Sequence, residues 1–585
     1  MALDLLVRGG TLIDGTGAGP RRADVGVRDG RIAELGDLRG VHARRLIDAE
    51  GAIVTPGFVD PHGHYDGQAM WDGAMEPSSL HGVTTCVIGN CGVGFAPVRA
   101  QDRDGLVRLM EGVEDIPGTA LSTGLSWDWE TFPEYMDALA RRPRTLDLCV
   151  QVPHDALRVY VMGERAFAGE TATEVDGTRM AALLREALGQ GAVGFSTGRT
   201  DSHRNKDGRW TPAADADERE LTTLAGAFAG LAHGVLQVVS DFDMERSSGA
   251  FEREWQMVAR MAKVAGARPV SISLLQRDLD SEQWRRILAR AEQANAEGTH
   301  LRVQVAPRAV GVLLGLSATF HPFMGFPSYK RISALPLGER VRVMRDPAFK
   351  AQLLSETSDK VAGDGSNLPP LADKFLENVQ FASMRIFRFG RTPNYEPARG
   401  DALYAEALAA NVPPLSVLYD ALLEDDGKEL LYFPLHNYAG GNLDVVREML
   451  EHPLALVGLG DGGAHVGTIC DASYASFFLA HWTRDRPTGR LPIERAVQML
   501  SSEPARHFGL RDRGTLALGQ RADVNVIDHE GLGLSRPHLV HDLPADGARL
   551  LQRAKGYRAT IVAGEPTLMH DELTGARPGG LCRVS

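Results

Sequence analysis

Three short stretches carry residue types that can do chemistry together. His62-Gly63-His64 sets two imidazoles at i and i+2, and on a strand those positions face the same side, so both rings can reach one metal ion. Gly89-Asn90-Cys91-Gly92 pins a cysteine between glycines; a nearby dication lowers a thiol's pKa and makes the thiolate a ligand. Gly460-Asp461-Gly462-Gly463-Ala464-His465 presents an aspartate on a slim backbone, able to act as metal ligand and proton acceptor together. Each stretch alone has a plainer reading: a polar strand end, a small residue at a tight turn, an Asp-Gly turn. Their combination at one place would make a metal-dependent hydrolytic site.

These residues need elements that bring them together. Short apolar runs recur at 57–64, 82–91, 146–154, 191–198, 234–241, 268–276, 300–307 and 454–465, and the three motifs end the first, second and last of them. Between several runs lie stretches such as TRMAALLREALGQG, EREWQMVARMAKVAGA and SEQWRRILARAEQANAEG, with apolar residues at helical spacing and Gly near the end. Eight buried parallel strands with crossover helices predict an α/β fold, a (β/α)8 TIM barrel over residues 57–511, whose site lies at the strand C-terminal ends. Insertions at about 92–145 and 308–453 exceed ordinary connections and are expected to carry structure of their own. Residues 1–56 and 512–585 alternate apolar residues with Gly and Asp-Gly turns, which predicts one small β-sandwich domain formed by both termini.

Composition narrows the function class. The 585 residues include 63 basic and 76 acidic side chains, a net charge of -13, too acidic for a nucleic-acid binder. The length prior allows three or four domains of roughly 100–200 residues, or one large barrel with additions. Five cysteines are too few and too scattered for a disulfide framework. Asp4 and Arg8 interrupt any signal-peptide core, and no run reaches the roughly 18 apolar residues of a membrane span. A cytoplasmic protein acting on a small molecule, with no membrane partner, is the expectation; whether it forms a homo-oligomer is left open.

The stretches VTPGFVDPHGH (54–64), HGVTTCVIGNCG (81–92), GAVGFSTG (191–198), GLGDGGAH (458–465) and GTLALGQRADVNVID resemble the amidohydrolase superfamily, and within it the N-acyl-D-amino-acid deacylase (D-aminoacylase) family. The resemblance spans nearly the whole chain. It implies a metal-dependent barrel with a small β-sandwich that hydrolyses amide C–N bonds other than peptide bonds. It further implies His62, His64 and Cys91 as metal ligands, and Asp461 as both ligand and catalytic aspartate.

The chain also departs from that family, which carries histidines at the end of strand five and on strand six, followed by a carboxylate-holding lysine. Here strand five ends Val239-Ser240-Asp241 and strand six reads Ser273-Leu274-Leu275-Gln276, with Gln276 in the lysine's place. One divalent ion, or an altered pair, is expected, with zinc the default for His, Cys and Asp ligands. Such an ion would polarise the scissile carbonyl and bring water's pKa toward about 7. Asp461 would take the water proton and pass it to the leaving nitrogen.

Candidate substrate contacts are His154, Arg199, His203, Arg204, Gln276 and His436; the charged loop holding Asp201, His203, Arg204 and Lys206 reads equally well as a solvated loop. Two alternatives stay open. One is another amidohydrolase-type reaction (cyclic amide hydrolysis, deamination, isomerisation) at a mononuclear site, and the other a non-catalytic barrel scaffold.

Overall fold

The computed structural model describes residues 2–200, 202–242, 250–362, 368 and 371–585; Asp201 lies outside the described residues. Each of the eight apolar runs contains a strand: β1 Phe58–Asp60, β2 Val83–Ile88, β3 Asp147–Pro153, β4 Gly194–Arg199, β5 Val235–Ser240, β6 Pro269–Leu274, β7 His300–Val305 and β8 Ala455–Val457. They pair in sequence order, all parallel, in a single eight-stranded sheet of a mixed α/β fold. Strands covered on both faces read as unbroken apolar runs, which is why they were visible in the sequence.

The two outer strands meet beyond their ends. Gly63 and Gly462 form a parallel bridge, and His64 N donates to Gly462 O at 2.7 Å. This brings the His-Gly-His turn against the aspartate turn. Val59, Val87, Cys149, Val193 and Val235 from five of the strand runs form a separate buried cluster with Ala505, Phe508 and Leu510. Crossover helices cover the outside; Glu174–Gly189, for example, starts in a capping box in which Thr173 and Asp176 satisfy each other's backbone N–H.

Both long connections carry structure. The first holds α1 Arg103–Glu114, then helices Gly118–Gly124 and Phe132–Ala140. The second has its own apolar core, including Leu314, Phe323, Tyr329, Leu418 and Tyr419, under a three-stranded antiparallel sheet of Gly311–Leu314, Leu431–Pro434 and Phe387–Arg388.

The termini build a four-stranded and a seven-stranded sheet, and the larger one joins them through Ile53–Pro56 antiparallel to Val524–Ile527. The two sheets share a core that includes Leu5, Val7, Val25, Ile47, Val54, Val524 and Ile561. The C-terminal stretch also reaches beyond them. A hairpin of His538–Leu543 and Gly547–Leu551 leans on the aspartate turn, where Leu550 N donates to Val466 O at 2.7 Å, and Leu581 bridges Leu148 on β3. No helix among the described residues is long and apolar enough to cross a membrane.

Candidate metal centre

His62 and His64 follow the end of β1, and each ring is held from behind. Gln304 Oε1, on β7, lies 2.7 Å from His62 Nδ1. An amide oxygen only accepts, so Nδ1 carries the proton and the Nε2 lone pair is left for a ligand. Glu114 Oε1, at the end of α1, stands 3.3 Å from His64 Nδ1. The two Nε2 atoms turn to Cys91 Sγ, at 3.2 Å from His62 and 3.7 Å from His64. The ligand atoms of His62, His64 and Cys91 all lie within 4.8 Å of one another. Asp461 Oδ1 completes the group, 3.3 Å from His62 Nε2 and 3.6 Å from His64 Nε2.

The backbone around this cluster is held in conformations that side chains disfavour. Cys91 (φ 57), Leu459 (φ 57), Asp461 (φ 45) and His465 (φ 49) are left-handed without being glycine, a cost of order 1–3 kcal/mol each that concentrates at functional sites. The flanking glycines of the cysteine turn are required. A Cβ on Gly89 (φ 77) would lie 2.3 Å from Gln151 O, and one on Gly92 (φ 81) 2.7 Å from Gly198 N.

Electrostatically the cluster suits a cation. Burial lowers His62 to about 4, against the attraction of Asp461. Burial would lower His64 too, but Glu114, Cys91 and Asp461 raise it well above the ordinary imidazole value. Burial pushes the Cys91 thiol up to about 12 despite His64. For Asp461, burial is outweighed by the hydrogen bond to His64 and the charges of His62, His64 and His465, which hold the carboxyl well below the carboxylate range. Two imidazoles whose Nε2 atoms face inward, a thiol whose proton a dication would displace, and a carboxylate make a coherent donor set for one soft-to-borderline divalent ion.

The remaining sequence candidates fall in different places. His203 is half-buried among the cluster: burial, then the charges of His465 and His64, push it down to about 3. His154 is fully buried with both ring nitrogens engaged, Nδ1 with Thr197 Oγ1 and Nε2 with Glu220, each at 2.9 Å. Arg199 grips Glu254 through Nε (2.9 Å) and Nη2 (2.8 Å), while Nη1 donates to Ala216 O. Arg204 stacks on the Trp210 ring, 3.3 Å from its centroid. Gln276 stitches β6 to the second insertion, its N–H donating to Asn437 Oδ1 (2.7 Å) and its Oε1 accepting from Ala439 N (3.2 Å). His436 stands beside that stitch, lowered to about 3 by burial, then by Arg277 and Arg385.

A model of the amidohydrolase family matches residues 45–568. The chain belongs to that family. Among curated relatives, D-aminoacylase of Alcaligenes xylosoxydans xylosoxydans is 28% identical over 580 residues, covering 98% of this chain and 96% of the relative. N-acyl-D-glutamate deacylase of the same organism is 28% identical over 530 residues, covering 90% of this chain and 87% of the relative. A solved D-aminoacylase, described for its binuclear metal centre with one-metal activation and second-metal attenuation, is 25% identical with a TM-score of 0.63, covering 100% of both chains. The fold is also that of the Bordetella bronchiseptica N-acyl-D-glutamate deacylase solved with zinc and a phosphonate inhibitor (24% identical, TM-score 0.63, 100% of both chains).

Four residues around this amidohydrolase's candidate metal cluster were missed by sequence reasoning: Glu114, Gln237, Gln304 and His465. Gln304 supports His62, and Gln237 Oε1, on β5, accepts from Cys91 N at 3.2 Å. For the glutamines a signal was present: Gln151, Gln237 and Gln304 each sit between apolar neighbours in a strand run, and a buried amide must be hydrogen-bonded to something. Gln304 Nε2 donates to Ser271 Oγ at 3.2 Å and Gln151 Nε2 to Asn90 Oδ1 at 2.8 Å, which carries the polar layer around the interior beneath the ligands. His465 lay inside the aspartate motif; its Nε2 is 3.6 Å from Glu114 Oε2.

Proposed function

We propose that the chain is a metal-dependent hydrolase of amide C–N bonds, N-acyl-D-amino-acid deacylase-like, with Asp461 as general base and acid beside a single divalent ion, zinc by preference. The observation that carries this is the convergence of His62, His64 and Cys91 within 4.8 Å under the Asp461 carboxylate. His62, His64, Cys91 and Asp461 would hold the ion. When bound, it supplies Lewis acidity and a lowered water pKa.

The chain's own residues do the rest. Gln304 keeps the His62 imidazole aimed inward. Asp461, its side chain 21% exposed between buried histidines, is reachable by substrate. It takes a proton from the attacking water and returns it to the leaving nitrogen. His203, which feels the charges of His465, His64 and Asp461, is the candidate to orient the acyl portion. One ion rather than two is favoured by β5 and β6, whose ends read Val239-Ser240-Asp241 and Ser273-Leu274-Leu275-Gln276 and offer no histidine. The one-metal activation described for a D-aminoacylase supports the sufficiency of a single ion.

The architecture goes with this reading: a closed (β/α)8 barrel over 57–511 and a β-sandwich of 1–56 with 512–585. The five cysteines, all unpaired, fit a cytoplasmic setting. Gln276 is neutral and tied to Asn437 and Ala439, which favours substrates that do not rely on a lysine at that position. Cyclic amides therefore belong in the test as a second reading.

Metal analysis of the purified protein is expected to give about one ion per chain, with chelation abolishing hydrolysis and zinc restoring it. A panel of N-acyl amino acids in both configurations, with cyclic amides beside them, is expected to show turnover of the D-series. Metal content near zero that zinc cannot restore would sink the hydrolase reading; near two, the single-ion reading.

A further inference from the structure

We infer that Glu114, supplied by the first insertion, is a positioning residue for the metal ligand His64, so that the insertion is part of the metal centre. The inference rests on the metal-site reading above. Glu114 is the last residue of α1, whose buried face of Leu106, Val107, Leu109, Met110 and Val113 packs the helix down. A carboxylate in the last helical turn opposes the helix dipole, at a cost of about 0.3–1 kcal/mol. The side chain is only 1% exposed, so desolvation adds to that cost. Nothing in the helix compensates.

The compensation lies in the site. Glu114 Oε1 is 3.3 Å from His64 Nδ1, an ion-pair contact, and neither atom has a hydrogen-bond partner among the described residues. Glu114 Oε2 is 3.6 Å from His465 Nε2, and the Glu114 carbonyl accepts from His465 N. The next residue continues the grip: Asp115 Oδ2 accepts from Gly467 N (3.3 Å) and Thr468 Oγ1 (3.2 Å). One corner of the insertion therefore touches the first-strand histidine and the aspartate turn at once, across the seam between β1 and β8.

A carboxylate on Nδ1 fixes the tautomer that leaves Nε2 as the donor, orients the ring, and raises its basicity. Gln304 does the first two for His62 without a charge. His64 thus receives the charged support and His62 the neutral one.

The test is zinc affinity of the folded protein by chelator competition, with the unfolding midpoint of the metal-free protein measured alongside. Glu114→Gln keeps the side-chain shape and an acceptor oxygen but removes the charge. It is expected to weaken zinc binding about 10-fold, and Glu114→Ala toward 100-fold, the range for carboxylates behind a ligating histidine. Zinc affinity of Glu114→Gln within twofold of wild type overturns the inference, whatever happens to the midpoint. A wild-type protein that binds no zinc overturns both this and the proposed function; tight wild-type binding with an unaffected Glu114→Gln overturns this alone.

Discussion

Asp461→Asn is expected to lower kcat/KM by about 10²–10⁴-fold, the span of a lost general base, while leaving the fold intact. The substitution suits a clean test. Asp461 sits at φ 45, a left-handed conformation that asparagine accepts as readily as aspartate. Its side chain is partly exposed, and its buried partners His62 and His64 still face an acceptor oxygen in the variant. The amide keeps an oxygen toward His62 and His64 but cannot take a proton. Assays at saturating zinc, with bound metal counted in the same samples, separate the lost base from a weakened ligand. Full activity with full metal occupancy would show that another group moves the proton.

The second large effect is on stability. Arg199→Ala is expected to cost about 3–5 kcal/mol, because it strands the Glu254 carboxylate, 6% exposed, without its partner. Arg199 and Glu254 form two parallel N–H···O contacts at 2.8 and 2.9 Å, tying the end of β4 to the helix Ala250–Val264. Replacing both residues, as in Arg199→Met with Glu254→Gln, is expected to recover most of the loss. Denaturant unfolding of the three proteins measures this. A stability change under about 1 kcal/mol with a raised KM would instead make Arg199 a grip on an anionic substrate.

These two residues illustrate what could and could not be read from the chain alone. Asp461 was legible as a candidate because its glycine-rich turn ends the last strand run, and a barrel brings that end against His62 and His64 on the first. Arg199, read from the sequence as part of a polar loop after the fourth strand, ends β4 itself, and its partner lies 55 residues away on the helix that follows β5. Nothing in TGRTDSHRNKDGR announces Glu254. The same holds for His154, whose partners Thr197 and Glu220 come from the next strand and helix. Local spacing places a side chain on an element, but the neighbours that use up its hydrogen bonds come from elsewhere in the fold.

The eight strand runs and the glycines flanking Cys91 were determined by local sequence, since burial on both faces favours apolar residues and the left-handed Gly89 and Gly92 leave no room for a Cβ. The acidic balance of -13 likewise followed from counting. Tertiary structure alone decided which groups stand behind the ligands. Gln304 comes from β7 and Glu114 from an insertion helix some 50 residues after His64, and the hairpin His538–Leu543 and Gly547–Leu551 reaches the aspartate turn from the far end of the chain. The physical reason is that a ligand's own identity is set by what it binds, a local chemical demand. Its support is set by whichever polar atom packing brings within about 3 Å, and that distance is a property of the folded chain as a whole.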